Sequence, residues 1–348
     1  MPVKVLVVDD SAFMRQMLSH MIEDDSELRV VGIAHDGEEA LMKIMLLKPD
    51  VVTLDVEMPK MDGLKCLAKI MEEMPLPVLM VSYLTSEGTE TTFKALELGA
   101  VDFISKPSYN DPEAVRGIHD ELIQKIKIAA TIKQIKLSRQ ELEPSLAIWK
   151  PKSLTRLKKL EILAVGTSTG GPKALSQLLP LFPKNFPLGI VVGQHMPKGF
   201  TKVFANRLDQ ICQMQVIEAE QGDEVIPGRI CIAPAGYQTK VIKSNNQFFL
   251  EIFDQPNQIY KPSVDILFKS VASIAKNRVL AVIMTGMGSD GAAGLKMIRD
   301  LGGRTIAEAE ETCVVYGMPR VAVEIGGAEY VERLPDIFSR ITKIIDEE

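Results

Sequence analysis

Between residues 2 and about 107, apolar runs of strand length alternate five times with stretches of helix length. The strand-like runs are KVLVV, LRVVGIA, VVTL, VLMVS and VDFIS, and amphipathic segments such as residues 12–22 and Gly63–Glu73 lie between them. Alternation of this kind predicts a parallel, doubly wound α/β sheet, because each strand must cross back through a helix before it can pair in the same direction. Ligands of such sheets gather beyond the carboxyl ends of the strands. Asp9 and Asp10 follow the first run, Asp55 ends the third, Ser82 ends the fourth and Lys106 follows the fifth.

Crowded carboxylates repel unless a cation relieves them. A small hard ion that keeps several waters, such as Mg²⁺, suits a site with few protein oxygens. Lys106 offers a positive charge to a phosphoryl group, and the Ser82 hydroxyl offers it a hydrogen bond. Each residue also has a plainer reading: Asp10 or Ser11 as a helix cap, Lys106 as a solvated lysine before a turn proline. Together they resemble a bacterial response-regulator receiver domain, on the acidic pair, on Asp55-Val56-Glu57-Met58-Pro59 and on Lys106-Pro107. The resemblance implies a flavodoxin-like fold and transfer of a phosphoryl group from a partner histidine kinase to Asp55. It further implies Mg²⁺ held by Asp10, Asp55 and the Glu57 carbonyl, with Asp9 assisting through water. Ser82 and Phe103 are then the switch hydroxyl and switch aromatic, and Lys106–Pro107 is a candidate cis bond.

The second half is organised around residues 160–175, LEILAVGTSTGGPKAL. A buried strand is predicted to stop at Gly166-Thr167-Ser168-Thr169-Gly170-Gly171-Pro172, with a helix beginning at once. A hydroxyl at such a turn lies on the rim of a sheet, where a nucleophile can meet substrate. A phosphate-binding glycine turn and a simple helix cap are equally compatible with this stretch. Two further units have the same form, LGIVVGQ leading to His195 and VLAVIMTGMGS leading to Asp290. If the three strands are parallel, their trailing loops share one edge and bring a hydroxyl, an imidazole and a carboxylate together. Serine needs a neutral imidazole to accept its proton, and the carboxylate fixes the imidazole tautomer. Of the four histidines, only His195 lies in this half. A satisfied loop histidine and an ordinary Asp290-Gly291 turn or cap remain the plainer readings.

Gly166-Thr167-Ser168-Thr169-Gly170 has the G-x-S-x-G form of an α/β-hydrolase elbow, yet the order Ser168, His195, Asp290 departs from that fold. With the receiver-like half in front, residues 160–345 resemble the catalytic domain of the chemotaxis protein-glutamate methylesterase family, on VGTSTGGP, GQHMP and MTGMGSDG. That resemblance implies a Rossmann-like serine hydrolase domain without a cofactor, which demethylates glutamate esters of methyl-accepting chemotaxis receptors, releasing methanol, and deamidates receptor glutamines. Ser168 attacks, His195 relays the proton and Asp290 orients it; Thr169 and the Met287 N–H are oxyanion donors. Thr167 stands where a small alanine is expected, with a packing role. KPSVDILFKSVA is also family-like but suggests no chemistry.

The expected organisation is a receiver at 1–125, a helical and then basic linker at 126–158, and the hydrolase at 159–348. The tethered switch is expected to cover the Ser168 edge until Asp55 is phosphorylated. At 348 residues, the chain accommodates two domains. A net charge of −6 disfavours nucleic acid as a partner. No apolar run reaches the ~18 residues of a membrane span, and the opening MPVKVLVV leads straight into two aspartates, unlike a signal peptide. A cytoplasmic protein without membrane insertion is expected. Cys66, Cys212, Cys231 and Cys313 show no C-x-x-C pair and read as reduced core thiols. A response regulator with a purely binding output and a hydrolase of small esters are the competing functions.

Overall fold

The computed structural model describes residues 1–83, 86–106, 112–132, 160–256 and 258–347. The chain forms two compact units, Met1–Gln140 and Glu141–Glu348. The Lys106–Pro107 bond, the basic run before residue 160 and most of the expected linker lie outside the described residues.

In the first unit β1 (Val3–Val8), β2 (Leu28–Ala34), β3 (Val51–Asp55), β4 (Val78–Ser82) and β5 (Asp102–Ser105) alternate with α1 (Ala12–Glu23), α2 (Gly37–Leu47), α3 (Gly63–Glu73), α4 (Ser86–Leu98) and α5 (Pro112–Thr131). The strands pair in parallel in the order β2-β1-β3-β4-β5. Every residue of β3 and β4 is buried, as expected for central strands covered on both faces. Val5, Val7, Val51, Leu79, Val81 and Ile104 pack with Met14, Leu18 and Ile22 of α1 and Leu122 and Ile126 of α5. Because β1 and β3 are neighbours although β2 lies between them in sequence, the strand order reverses there. That is where such a sheet opens a crevice.

Helix ends in this unit follow local chemistry. The Ser11, Asp36 and Asp62 side chains accept from Met14, Glu39 and Lys65 N–H groups to cap α1, α2 and α3. The capping role weighed for Ser11 is therefore real. At the start of α3, Gly63 donates to the Val56 carbonyl at 2.9 Å. A Cβ on Gly63 would lie 2.0 Å from the Asp55 carbonyl oxygen. That contact is with backbone, which cannot swing away, so Gly63→Ala is expected to cost about 3 kcal/mol in urea denaturation. A change under about 0.5 kcal/mol would show that this close approach relaxes freely.

The second unit runs β6 (Ile162–Thr167), α6 (Gly171–Leu178), β7 (Gly189–Gln194), α7 (Phe200–Ile211), β8 (Gln215–Glu218), β9 (Arg229–Ile232), β10 (Gln238–Ser244), β11 (Gln247–Phe253), α8 (Val264–Ala275), β12 (Val279–Ile283), α9 (Ala292–Asp300), β13 (Arg304–Glu308), α10 (Met318–Glu324), β14 (Tyr330–Glu332) and α11 (Leu334–Glu347). Seven strands form one parallel sheet ordered β14-β13-β12-β6-β7-β9-β8, while β10 and β11 make a separate antiparallel hairpin. Val264, Leu267, Phe268 and Val271 of α8 pack with Ile162 and Ala164 of β6 and Ala281 and Ile283 of β12. The chain moves outward from β6 to β7 on one side and returns to β12 on the other, so the reversal falls at β6. Both units are thus α/β with doubly wound parallel sheets, as the alternation predicts for the first and the family resemblance implies for the second.

No helix among the described residues is long and apolar enough to cross a membrane. All four cysteines are free; Cys66, Cys231 and Cys313 are buried, but Cys212 is only half-buried, at the C-terminal cap of α7. Burial pushes the Cys66, Cys212 and Cys231 thiols up to about 12.

Candidate active site and acidic receiver pocket

The three strands that carry Ser168, His195 and Asp290 on their trailing loops are adjacent, in the order β12-β6-β7, and parallel. Their loops meet. His195 Nδ1 lies 3.1 Å from Ser168 Oγ, and His195 Nε2 lies 2.8 Å from Asp290 Oδ2. With Asp290 ionised, the imidazole proton belongs on Nε2, which leaves the Nδ1 lone pair facing the serine hydroxyl. A neutral imidazole held this way can take the hydroxyl proton as the oxygen attacks a carbonyl.

Asp290-Gly291 does form a tight turn, with Ala292 N–H donating to the Ser289 carbonyl at 3.0 Å, but neither Ser168 nor Asp290 caps the helix that follows it. The N-cap of α6 is Gly170, with no side-chain hydrogen bond, so Ser168 does not cap that helix. The N-cap of α9 is Gly291, again without a side-chain cap. Asp290 instead sits against the start of α8. Its Oδ2 accepts from Val264 N–H at 2.6 Å, and its Oδ1 from Asp265 N–H at 3.1 Å and the Ser263 hydroxyl at 2.8 Å. Burial opposes ionisation of Asp290, but hydrogen bonds from His195, Ser263 and Asp265 outweigh it and hold the carboxyl below the usual carboxylate range. The positive end of the helix dipole acts in the same direction.

The nucleophile loop is held from three directions. Ser168 N–H donates to the Thr285 carbonyl at 3.0 Å, and the Thr167 hydroxyl donates to that same carbonyl at 2.8 Å. Thr167 thus has a partner for its buried hydroxyl, which a smaller alanine would leave out. Gln194, almost fully buried, donates through Nε2 to the carbonyls of Ser168 at 3.0 Å and His195 at 2.7 Å, joining the two reacting residues through their backbones. Thr285 Oγ1 donates to the Thr169 carbonyl at 2.9 Å, and Thr285 N–H reaches the buried Glu308 carboxylate at 2.8 Å. A Cβ on Gly286 would lie 2.7 Å from Ser168 Cβ and 2.4 Å from Met318 Sδ, so only glycine lets this backbone come so near the nucleophile. Met287 follows Gly286 directly in the chain. Among the described residues, the N–H groups of Thr169 and Met287 take no hydrogen-bond partner.

Residue-level reasoning from sequence missed Ser263, Gln194 and Tyr260. Ser263 carried a usable signal, a small hydroxyl residue just before an amphipathic run, and it does cap α8 by accepting from Ile266 N–H. That it also donates to Asp290, 27 positions away, had no local sign.

In the first unit, Asp9, Asp10 and Asp55 each present one carboxylate oxygen within 4.8 Å of the others. Asp9 and Asp55 are buried and Asp10 is exposed. Lys106 is not a solvated lysine: its side chain is 2% exposed and its Nζ lies 2.8 Å from both Asp9 Oδ2 and Asp55 Oδ2. Burial lowers the basicity of Lys106, yet Asp55 and Asp9 outweigh it and leave the ammonium above its ordinary value. Burial pushes Asp55 up to about 6 against the attraction of Lys106, with Asp9 adding to the rise. One lysine among three carboxylates leaves negative charge over, and an oxygen-only donor set of this kind fits a hard divalent cation. Ser82, at the end of β4, is buried, and its carbonyl accepts from Lys106 N–H at 2.8 Å. Phe103 is buried with its ring edge-on to Phe93 of α4, centroids 6.4 Å apart. Glu57 is exposed, and its N–H lies 3.4 Å from Asp55 Oδ1.

Fold and site together define a class: an α/β protein with a Ser–His–Asp relay of the hydrolase type in one unit and a receiver-like acidic pocket in the other. Residues 163–341 match the CheB methylesterase family and residues 5–116 the response regulator receiver domain family. A protein-glutamate methylesterase/protein-glutamine glutaminase of Syntrophomonas wolfei is 46% identical over 351 residues, covering 98% of this chain and 99% of that one. Its counterpart in Bacillus subtilis is 44% identical over 360 residues, covering 99% of both. The crystal structure of the Thermotoga maritima CheB methylesterase catalytic domain is 42% identical, with a TM-score of 0.52 over 53% of this chain and 98% of that one. The chain belongs to the CheB methylesterase family, with a response regulator receiver domain at its front.

Proposed function

We propose that this chain hydrolyses γ-methyl esters of glutamate side chains on methyl-accepting chemotaxis receptors in the cytoplasm, and deamidates receptor glutamines, under control of phosphorylation at Asp55 by a chemotaxis histidine kinase. The observation that carries the reading is the imidazole of His195, bonded on one side to Ser168 and on the other to Asp290. Ser168 Oγ attacks the ester carbonyl while His195 Nδ1 takes its proton. The free N–H groups of Thr169 and Met287 receive the oxyanion. The same proton then passes to the leaving methoxide, which departs as methanol. Water, deprotonated by His195, attacks the acyl-enzyme and releases the glutamate carboxylate and Ser168. With a glutamine substrate the leaving group is ammonia and the acyl-enzyme is the same.

In the receiver pocket, Asp9, Asp10, Asp55 and the Glu57 carbonyl would hold Mg²⁺. When bound, the ion supplies charge neutralisation for phosphoryl transfer. Lys106, which contacts Asp9 and Asp55, would offer its ammonium to phosphoryl oxygens, and Ser82, at the end of β4, would offer its hydroxyl. A doubly charged group on Asp55 changes the electrostatics of this buried pocket by enough to shift a two-state equilibrium worth a few kcal/mol.

The deciding experiment is methanol release from methylated receptor membranes, with and without a small-molecule phosphodonor and Mg²⁺. Release that the phosphodonor raises is the expected result. Asp55→Asn is expected to abolish that rise. A full response to the phosphodonor in Asp55→Asn would refute Asp55 as the acceptor. No methanol from any methylated receptor, alongside labelling of Ser168 by a fluorophosphonate, would point to a small-ester hydrolase. Absence of labelling would favour a binding output.

A further inference from the structure

His195 is held by more than its two hydrogen bonds. The ring of Tyr260 lies flat on the imidazole, centroids 4.3 Å apart and planes 1° from parallel. Tyr260 is half-buried, and burial together with the nearby Asp290 charge raises its phenol above the ordinary tyrosine value. The phenol is therefore neutral wherever His195 works, and what it presents to the imidazole is an aromatic face.

The segment that carries this ring is itself fastened. Gln238, fully buried at the start of β10, donates from Nε2 to the Tyr260 carbonyl at 2.7 Å and accepts at Oε1 from Ser263 N–H at 2.8 Å. One amide thus ties both ends of the stretch from Tyr260 to Ser263. One end of that stretch covers a face of His195, and the other donates its hydroxyl to Asp290.

Both hydrogen bonds of His195 lie in the plane of the imidazole, so they leave tilting out of that plane weakly opposed. A coplanar ring against one face opposes it and keeps water from that face. As His195 becomes imidazolium during attack, its new charge lies over the π-face of Tyr260, which favours the charged ring. We propose that Tyr260 is a positioning residue for the hydrolase reaction: its ring holds the His195 plane and favours the imidazolium, and Gln238 holds Tyr260. The proposal rests on the hydrolase reading of Ser168, His195 and Asp290.

The test uses the full chain with Tyr260→Phe and Tyr260→Leu. Phenylalanine keeps the face and is expected to retain kcat for methanol release within about twofold. Leucine removes the face and is expected to lower kcat, and the rate of fluorophosphonate labelling at Ser168, about tenfold with KM unchanged, between the sizes of an exposed and a desolvated cation–π contact. NMR supplies a readout independent of activity. The chain has four histidines, so the His195 ring protons can be assigned with His195→Ala. They should be shifted upfield in the unaltered protein and in Tyr260→Phe, and not in Tyr260→Leu.

Leucine within twofold of the parent, phenylalanine as damaging as leucine, or a rise in KM at constant kcat would each overturn the proposal. So would unshifted His195 protons in the parent, a result that needs no variant to fold. Activity surviving in Ser168→Ala would instead overturn the hydrolase reading, so the two failures are distinguishable.

Discussion

Replacing Ser168 with alanine is expected to lower methanol release by about three to six orders of magnitude and to abolish covalent labelling by a fluorophosphonate. The size follows from what the hydroxyl does. Without Oγ there is no acyl-enzyme, and what remains is binding plus whatever the oxyanion donors supply to a water attack. Ser168 Oγ makes its contact with His195 and caps no helix, so the substitution leaves the fold's hydrogen bonds in place. His195→Ala is expected to fall in the same range, because a serine hydroxyl with no base beside it is a poor nucleophile at neutral pH. A loss of only about tenfold in either variant would mean that other residues carry the reaction.

Asp290→Asn is expected to cost about four orders of magnitude in kcat, for a reason specific to this site. Both carboxylate oxygens face donors only: Oδ2 meets His195 Nε2 and Val264 N–H, and Oδ1 meets the Ser263 hydroxyl and Asp265 N–H. An asparagine has one oxygen to offer. If its oxygen faces His195, its NH₂ points at Asp265 N–H; if it is turned over, its NH₂ points at Val264 N–H and at His195 Nε2. The second arrangement favours the imidazole tautomer with the proton on Nδ1, where it cannot accept from Ser168. The same donor set bears on acid stability. The folded-state pKa of Asp290 is depressed, so the stability it contributes is present above the unfolded carboxylate value, near pH 4, and is lost as pH falls through the folded value. Asp290→Asn should therefore flatten the acid limb of a stability-against-pH curve. An unchanged limb with activity within tenfold of the parent would contradict both arguments.

Much of this site is legible in the sequence because parallel α/β folds give strand ends a fixed meaning. Ser168, His195, Asp290, Asp9, Asp55 and Lys106 each follow an apolar run, and such runs report their secondary structure locally. The groups that support them are of another kind. Gln194 works through backbone carbonyls, Gln238 reaches a loop 22 and 25 positions ahead, and Ser263 and the N–H groups of Val264 and Asp265 act on Asp290 from a helix start that periodicity alone marks as an ordinary cap. KPSVDILFKSVA has a role, but it is exerted through the position of α8 beside β12.

Local alternation of apolar and amphipathic runs determined that the first half is a parallel α/β sheet, and in the second half the apolar runs marked three strand ends and so which side chains stand at their carboxyl edges. Tertiary structure decided which of those edges touch. The order β14-β13-β12-β6-β7-β9-β8 placed three distant loops side by side, turned Nδ1 of His195 toward the serine, and set Asp290 on the N-terminus of α8 with Tyr260 over the imidazole. Strand order is a choice among long-range pairings that bury nearly the same apolar residues, and no short window of sequence distinguishes them.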